Sequence, residues 1–272
     1  MKQQISSPQN PLVKSIVKLQ QKASERKKTG LFVVEGRREV SLALRSGVRV
    51  KHMLVCEEIY EPDPRYPVDL QGDGIRLVWV SQSVYNKLAY RENQEGLLLV
   101  GLAETCNISE FRPGPNPLML VLEGVEKPGN LGAILRTADA AGFDAVVICD
   151  PKTDIYNPNV IRASLGCVFT NHIISCEPDA LFSWLRHQPP RPSGKETKLF
   201  GAALQTEFDY YDADLSGPSI IAFGAEDKGL SDTMKQAADQ LIKIPMAGTI
   251  DSLNVSVSVA ILAFEAVRQR RQ

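Results

Sequence analysis

Apolar runs alternate with amphipathic stretches along most of the chain. Continuous apolar segments at residues 118–122, 145–149 and 219–223 are typical of strands that are buried on both faces of a sheet. Between the first two of these segments, apolar residues recur at helical spacing over residues 131–138. Strands separated by helices predict an α/β fold with a mostly parallel sheet that is covered on both sides.

The first hundred residues predict a smaller unit of the same class. Residues 5–28 have the apolar spacing of a helix, which Ser6 or Ser7 would cap and Gly30 would end. Short strands and helices then alternate as far as residue 100. We therefore expect a compact α/β domain at the N-terminus.

A composition change separates this domain from the rest of the chain. Residues 111–117 contain three prolines and a glycine, which predicts a stiff linker without a core. The sequence thus predicts a first domain over residues 1–103, a linker over 104–117 and a second domain over 118–272.

The final apolar stretch fits two periodicities. Residues 253–260 alternate between apolar and small positions, which is the pattern of a strand. The apolar run continues beyond them into a charged tail, which favours a helix. We predict a helix that Asp251 or Ser252 caps and that ends near Arg268.

The composition excludes several classes of protein. No apolar run approaches the roughly 20 residues that span a bilayer, and the N-terminus lacks the apolar segment of a signal peptide. The five cysteines are scattered without a C-x-x-C pair, and the three histidines share no metal spacing. We expect a cytoplasmic protein with no membrane segment and no metal site.

Charge is distributed unevenly along the chain. Residues 1–52 contain seven Lys and five Arg against three Glu, although the whole chain has a net charge of −1. A basic segment on a near-neutral protein favours a polyanionic partner. A solvated helix face is the alternative that charge alone leaves open.

Three loops are expected to carry the chemistry. Residues 123–130, 224–230 and 246–252 each follow a predicted strand, and ligands of parallel sheets bind at that edge. The GxGxxG fingerprint after the first strand of either domain, the Walker A loop and the GxSxG elbow are missing. The polar residues in and near these loops suit an anionic or phosphate-bearing substrate. They are Glu123, Asn130, Arg136, Glu226, Ser252 and Asn254.

Three stretches resemble the motifs of the SpoU-type RNA 2′-O-ribose methyltransferases of the SPOUT superfamily. These stretches are Asn130-x-Gly132-x-x-x-Arg136, Gly224-x-Glu226-x-x-Gly229-Leu230 and Ile244-Pro245-Met246-x-Gly248-x-x-x-Ser252-Leu253-Asn254-Val255-Ser256. They occur in the family's order and lie far apart, so their combination is specific. The resemblance covers the whole second domain. The first domain resembles the ribosomal-protein-like RNA-binding domain that often precedes it, most closely at residues 32–36.

The resemblance implies a cofactor and an architecture. The methyl donor would be S-adenosylmethionine, and the chain would form a homodimer through a C-terminal domain with a deep trefoil knot. Knots are rare in proteins, and no other feature of the sequence points to one. The cofactor-binding residues carried over by position are Leu204, Gly224, Glu226, Ile244, Met246 and Leu253. For Glu226, pairing with a cation or holding loops together and simple loop capping are equal alternatives.

The implied reaction is methyl transfer to a ribose 2′-hydroxyl, which requires loss of the hydroxyl proton. The resemblance assigns that role to Arg136, but a guanidinium resists deprotonation, so a phosphate clamp is the alternative. Asn130, Ser252 and Asn254 would orient the ribose and Arg136. These four residues are the expected catalytic set.

RNA would then be the partner of the basic segment. The expected phosphate contacts are Arg26, Lys27, Lys28, Arg37 and Arg38. The expected target is one exposed nucleotide of a folded RNA, with ribosomal RNA ahead of transfer RNA. Two alternatives remain: an RNA-binding relative that has lost catalysis, and a nucleotide-dependent enzyme that acts on a small metabolite. The intact motif residues argue against the first, and the basic segment argues against the second.

Overall fold

The computed structural model of the chain describes residues 4–70, 72, 75–104, 106–188 and 194–271. The chain forms two compact units. The first unit comprises Met1–Glu104 and Asp154–Thr170, and the second comprises Thr105–Thr153 and Asn171–Gln272. Segment 154–170, which the sequence places in the predicted second domain, therefore packs with the first unit.

Helices and strands alternate through both units, which confirms the predicted α/β class. In chain order the elements are β1 (Gln4–Ile5), α1 (Pro11–Gln21), α2 (Ala23–Thr29), β2 (Leu31–Glu35), α3 (Arg37–Arg45), β3 (Val50–Val55), β4 (Leu77–Val80), α4 (Gln82–Leu88), β5 (Leu97–Leu102), β6 (Leu118–Glu123), α5 (Pro128–Ala141), β7 (Ala145–Cys149), α6 (Pro158–Ala163), β8 (Ile173–Cys176), α7 (Pro178–Arg186), β9 (Lys198–Ala202), β10 (Ser219–Phe223), α8 (Asp232–Ala237), β11 (Gln240–Ile242) and α9 (Val255–Arg270).

The first unit contains a mixed sheet with the strand order β1-β4-β3-β5-β2. The predicted single helix over residues 5–28 is wrong. The helix begins at Pro11, because the side chain of Asn10 accepts a hydrogen bond from the Leu12 N–H at 2.9 Å and proline suits the first helical position. The chain then extends at Lys22 (φ −121°, ψ 115°), which divides the stretch into α1 and α2.

Segment 154–170 completes the core of the first unit. The ring of Phe32 stacks on the ring of Tyr156 with centroids 4.2 Å apart. The centroid of the Phe169 ring lies 5.7 Å from that of Phe32. Asp154 pairs with Arg26 at 2.6 Å, and only 5% of the Arg26 side chain is exposed. Aromatic packing and a buried ion pair thus attach this segment to β2 and α2.

The second unit contains a parallel sheet with the order β11-β9-β10-β6-β7-β8. Its central strands β6, β7 and β10 are buried along their whole length, as their continuous apolar sequences predict. Because all six strands run in the same direction, their carboxyl ends meet at one edge. The loops after β6, β9, β10 and β11 therefore begin from neighbouring positions.

The C-terminal stretch is a helix, as predicted over the alternative of a strand. The buried positions of α9 include Val255, Val259, Leu262 and Ala266, which follow helical spacing. Its N-cap is Asn254 rather than the predicted Asp251 or Ser252. The cap lies later because the side-chain oxygen of Asn254 accepts the Ser256 N–H at 2.9 Å.

The predicted linker is not without a core in its described part. Ile108 is 4% exposed and belongs to the apolar cluster that contains Leu181 and Trp184. The indole N–H of Trp184 also donates to the carbonyl of Phe111 at 3.4 Å. Residues 106–111 therefore pack on the second unit, while the predicted domain boundaries at 103 and 118 stay a prediction.

Within the described ranges, no helix is both long and apolar enough to cross a membrane. The same ranges place no group of three or more His, Cys, Asp or Glu side chains where it could hold a metal ion.

Candidate active site

A cleft of about 530 Å³ lies at the carboxyl edge of the parallel sheet in the second unit. Its walls are formed mainly by residues 202–205 at the end of β9, residues 223–230 at the end of β10, residues 242–244, 246 and 251–254 at and after the end of β11, and the first turns of α9. This volume falls in the range of about 300–1,000 Å³ that is usual for small-molecule sites. The cleft is thus large enough for a cofactor.

The six residues expected to bind the cofactor all line this cleft. They are Leu204, Gly224, Glu226, Ile244, Met246 and Leu253. They come from three loops that are separated in sequence, so only the parallel order of β9, β10 and β11 brings them together. Their contacts with a cofactor stay a prediction.

Gly224 allows the loop after β10 to fold back on itself. A Cβ at this position would lie 1.9 Å from the carbonyl carbon of Gly229, so no side chain fits. The Gly229 N–H donates to the Ala225 carbonyl at 2.8 Å and closes the turn. The bare backbone of this tight loop forms one wall of the cleft.

Glu123 holds the far end of the same loop. Its two carboxylate oxygens accept the backbone N–H and the hydroxyl of Ser231, each at 2.7 Å. Ser231 in turn caps α8 through the Met234 N–H at 3.1 Å. Since only 8% of Glu123 is exposed, this arrangement links β6 firmly to the start of α8.

A chain of polar contacts joins the three motif loops. One carboxylate oxygen of Glu226 accepts the ammonium of Lys127, and the other accepts the side-chain amide of Asn130. The side-chain oxygen of Asn130 accepts the amide of Asn254 at 3.2 Å. Hydrogen bonding and charge from Glu226 raise the pKa of Lys127. The loops after β6, β10 and β11 are therefore connected side chain to side chain.

Lys127 is the member of this network that sequence reasoning missed. It immediately precedes Pro128, the first residue of α5, and lies outside the motif that begins at Asn130. Nothing in the local pattern distinguishes it from an ordinary surface lysine. Asn130 itself was expected in a loop, but α5 begins at Pro128, so Asn130 lies in the first helical turn.

Ser252 and Asn254 both line the cleft. The Ser252 hydroxyl donates to the Asp251 carboxylate at 3.2 Å, and both residues are exposed. Asn254 has a double role, because its amide reaches Asn130 while its oxygen caps α9. Two of the four expected catalytic residues thus lie at the cleft, and a third, Asn130, contacts one of them.

Arg136, the fourth, lies on the exposed side of α5. It is not among the described residues that line the cleft. Its guanidinium makes no ion pair with the described part of the chain. The structure leaves this charge available, and the catalytic role of Arg136 stays a prediction.

The expected RNA contacts of the first unit have different environments. The predicted phosphate contact of Arg26 must be corrected, because this side chain is buried and donates to Asp154 and to the Leu19 carbonyl. Arg37 is half-buried and donates to the Glu61 carbonyl at 2.6 Å, and Arg38 lies 5.9 Å from the ring centre of Tyr66. Lys27 and Lys28 are exposed. Arg26 therefore stabilises the fold, whereas the two lysines are accessible to a polyanion.

Comparison with known proteins gives matches over both units. The model of the SpoU rRNA Methylase family matches residues 117–264. A second model, the MRM3-like substrate binding domain, matches residues 10–99. The 23S rRNA (guanosine(2553)-2′-O)-methyltransferase RlmP of Bacillus subtilis (strain 168) is 31% identical over 261 residues, which cover 96% of this chain and 98% of that relative.

Solved structures match the fold over nearly the whole chain. A crystal structure of an RNA 2′-O ribose methyltransferase superposes with a TM-score of 0.81 and 36% identity, covering 99% of this chain and 100% of the other. The AdoMet-bound rRNA methyltransferase from Sinorhizobium meliloti gives a TM-score of 0.86 at 27% identity, covering 98% and 97%.

Proposed function

The chain belongs to the SpoU rRNA methylase family, and on that basis we propose that it transfers a methyl group from S-adenosylmethionine to a ribose 2′-oxygen of ribosomal RNA. Relatives named as 23S rRNA 2′-O-methyltransferases support the reaction and favour ribosomal over transfer RNA. The observation that carries the proposal is the contact between the motif loops. Asn130, Glu226 and Asn254 are joined beside one cleft at the carboxyl edge of the sheet.

The cleft fits the cofactor in shape and chemistry. Leu204, Ile244, Met246 and Leu253 provide apolar surface, and the loop that Gly224 allows to fold tightly provides backbone groups at the wall. Such a combination of apolar walls and exposed backbone groups is usual for small-molecule sites. When bound, S-adenosylmethionine supplies a methyl group carried on a positively charged sulfur.

The polar residues of the cleft act on the ribose. The Ser252 hydroxyl and the Asn254 amide are exposed at its wall, where they can hydrogen-bond a sugar hydroxyl. Asn130 keeps Asn254 in place. Arg136 acts as a phosphate clamp, because a guanidinium is a permanent cation whose planar donors bind phosphate in a bidentate manner.

The first unit binds RNA through a lysine face on α1, α2 and the residue that joins them. We define this face as Lys14, Lys18, Lys22, Lys27 and Lys28, all of which are exposed. Lys14 and Lys18 point away from the buried residues Val13 and Ile16, as their spacing on α1 requires. None of the five pairs with an acidic side chain in the described ranges, so their charge is available for phosphates.

The homodimer expected for this chain is supported by an apolar stripe on α9. Val257 and Phe264 are 46% and 50% exposed and lie seven residues apart on one side of the helix. Ala260 and Ile261 lie between them and are partly exposed. A second copy of the chain would cover this stripe. The trefoil knot and the cytoplasmic location likewise remain proposals.

The deciding experiment measures methyl transfer to RNA. Purified protein and labelled S-adenosylmethionine are incubated with total RNA from a strain that lacks this gene, and ribose methylation is mapped. We expect label in one ribosomal RNA at a single 2′-O position. RNA from the parent strain is the control and should accept little label, because the position is already methylated.

Other outcomes have distinct meanings. Label in transfer RNA would support the proposed reaction but would identify transfer RNA, and not ribosomal RNA, as the substrate. Cofactor binding without label in any RNA would favour a binding protein that has lost catalysis. Absence of cofactor binding would refute the proposal.

A further inference from the structure

The contact between Lys127 and Glu226 joins a residue outside the motifs to the centre of the candidate active site. Lys127 is the N-cap residue of α5, yet its side chain makes no capping hydrogen bond and instead extends to the carboxylate of Glu226. The first turn of α5 contains no acidic residue. The carboxylate of Glu226 therefore supplies, from another loop, the negative charge that favours a helix N-terminus.

Glu226 has both oxygens engaged. One accepts Lys127 and the other accepts the side-chain nitrogen of Asn130. Because a carboxylate only accepts hydrogen bonds, the nitrogen of the Asn130 side chain must face Glu226. The oxygen of Asn130 then faces the opposite way, where it accepts the amide of Asn254 at 3.2 Å.

An asparagine side chain can exchange the positions of its oxygen and nitrogen by rotating about its last bond. In the exchanged orientation, the Asn130 oxygen would face the Glu226 carboxylate and its nitrogen would face the Asn254 nitrogen. Both contacts would then be repulsive. The oxygen of Asn254 is already engaged by the N–H and the hydroxyl of Ser256, at 2.9 and 2.6 Å. The Asn254 amide therefore has an acceptor on Asn130 only while Glu226 holds its carboxylate in place, and Lys127 is the cation that holds it.

We propose that Lys127 is a positioning residue, which acts through Glu226 to orient Asn130 and so keep the Asn130–Asn254 pair formed beside the cleft. The proposal rests on the methyl transfer proposed above, since its effect on rate is exerted on that reaction. Lys127 is not among the described residues that line the cleft and is not assigned a catalytic role. Its effect is on the fraction of molecules in which the Asn130–Asn254 pair is correctly oriented.

The test compares Lys127→Met with a matched control, Lys152→Met. Lys152 is also an exposed lysine of the second unit, and it pairs with Asp150 at 3.0 Å outside this network. For Lys127→Met we expect kcat to fall about tenfold or more, because small misplacements of reacting groups are costly. The KM for cofactor and for RNA should change by less than about threefold, since binding contacts are retained. Lys127→Arg should restore kcat, because a guanidinium can also pair with the carboxylate.

A second readout does not depend on catalysis. The side-chain amide resonances of Asn130 and Asn254, assigned with Asn130→Ser and Asn254→Ser, report on their hydrogen bonds in the full chain. Lys127→Met should shift both sets of resonances, whereas Lys152→Met should shift neither. If the wild-type protein transfers no methyl group, the proposed function fails, and these resonances alone decide whether Lys127 positions the pair.

Several results would overturn the role of Lys127. These are an unchanged kcat in Lys127→Met, an equal loss in Lys152→Met, or unshifted Asn130 and Asn254 resonances in Lys127→Met. A loss of kcat that Lys127→Arg does not restore would also contradict it, because the role requires only a cation at this position.

Discussion

The side-chain amide of Asn254 donates to the side-chain oxygen of Asn130 at 3.2 Å, although 124 residues separate the two in sequence. Asn130 lies in the first turn of α5, and Asn254 caps α9. The N-terminal ends of two helices are therefore joined beside the cleft.

Two substitutions at Asn254 should separate its two roles. Asn254→Ala removes both the cap of α9 and the bond to Asn130, so we expect a loss of about 1 kcal/mol of unfolding free energy together with loss of methyl transfer. Asn254→Ser retains a capping oxygen and should keep the stability while still losing activity. Chemical denaturation and methyl-transfer assays measure the two effects. Full activity of the serine variant would show that the bond to Asn130 is dispensable.

Removing charge from the lysine face should weaken RNA binding in a salt-dependent way. For Lys14→Ala combined with Lys18→Ala, we expect the slope of log affinity against log salt to fall by about 0.7–0.9 for each RNA phosphate that is no longer neutralised. Affinity for S-adenosylmethionine should not change. Fluorescence anisotropy with a labelled ribosomal RNA fragment at several salt concentrations measures the slope. Lys152→Ala is the control, and an equal change there would mean that the effect is one of net charge only.

Arg26→Ala should act on stability rather than on RNA. Removing the arginine leaves the Asp154 carboxylate without its buried partner, and removal of one member of such a pair costs about 3–5 kcal/mol. The neighbouring Lys27→Ala should leave the stability nearly unchanged, because Lys27 is exposed. Urea denaturation of both variants tests this difference. Wild-type stability of Arg26→Ala with weakened RNA binding would contradict the buried pair and restore Arg26 as an RNA-binding residue.

Arg270 should be important for the C-terminal helix. Its guanidinium donates to the carbonyls of Leu215, Asn116 and Pro117 at 3.1, 2.9 and 3.0 Å, and also to that of Gly217. Arg270→Ala removes the donor of the Leu215 and Asn116 carbonyls, whereas the carbonyls of Pro117 and Gly217 keep the N–H and the hydroxyl of Ser219. We expect a loss of about 1–3 kcal/mol of unfolding free energy. Arg268→Ala is the control, since Arg268 forms only an exposed pair with Glu265. Equal stabilities of the two variants would refute the role of Arg270.

Stability of the first unit should depend on pH through Glu35. Burial raises the pKa of this carboxyl, while the Tyr90 N–H and Arg91 oppose the shift and Glu95 adds to it. The folded state favours the neutral carboxyl. Its contribution to the free energy of unfolding is therefore fully present below the ordinary pKa of 4.5, and it is lost as the pH rises through the raised pKa. The glutamine of Glu35→Gln cannot ionise. As the pH rises, the free energy of unfolding of this variant should therefore increase relative to that of the wild type. Denaturation curves at several pH values measure the difference, and a constant difference would contradict the prediction.

The sequence by itself determined the fold class and the central strands of the second unit. Apolar runs such as those of β6, β7 and β10 become strands because a strand that is buried on both faces needs apolar side chains on both. Local helix-ending chemistry was also readable at Gly30, whose φ of 63° ends α2. The motif residues were identified through the resemblance of three stretches, in order, to the motifs of a known family.

Only the tertiary structure decided which polar groups are partners. Arg26 and Lys27 are adjacent basic residues in sequence. In the structure, Arg26 is buried and pairs with Asp154, whereas Lys27 is exposed to solvent. Lys127 looks like any surface lysine until the loop after β10 brings Glu226 to it. Such contacts join residues about a hundred positions apart, and local patterns contain no information about them. Strand order determines those distances, because it sets which loop ends lie side by side.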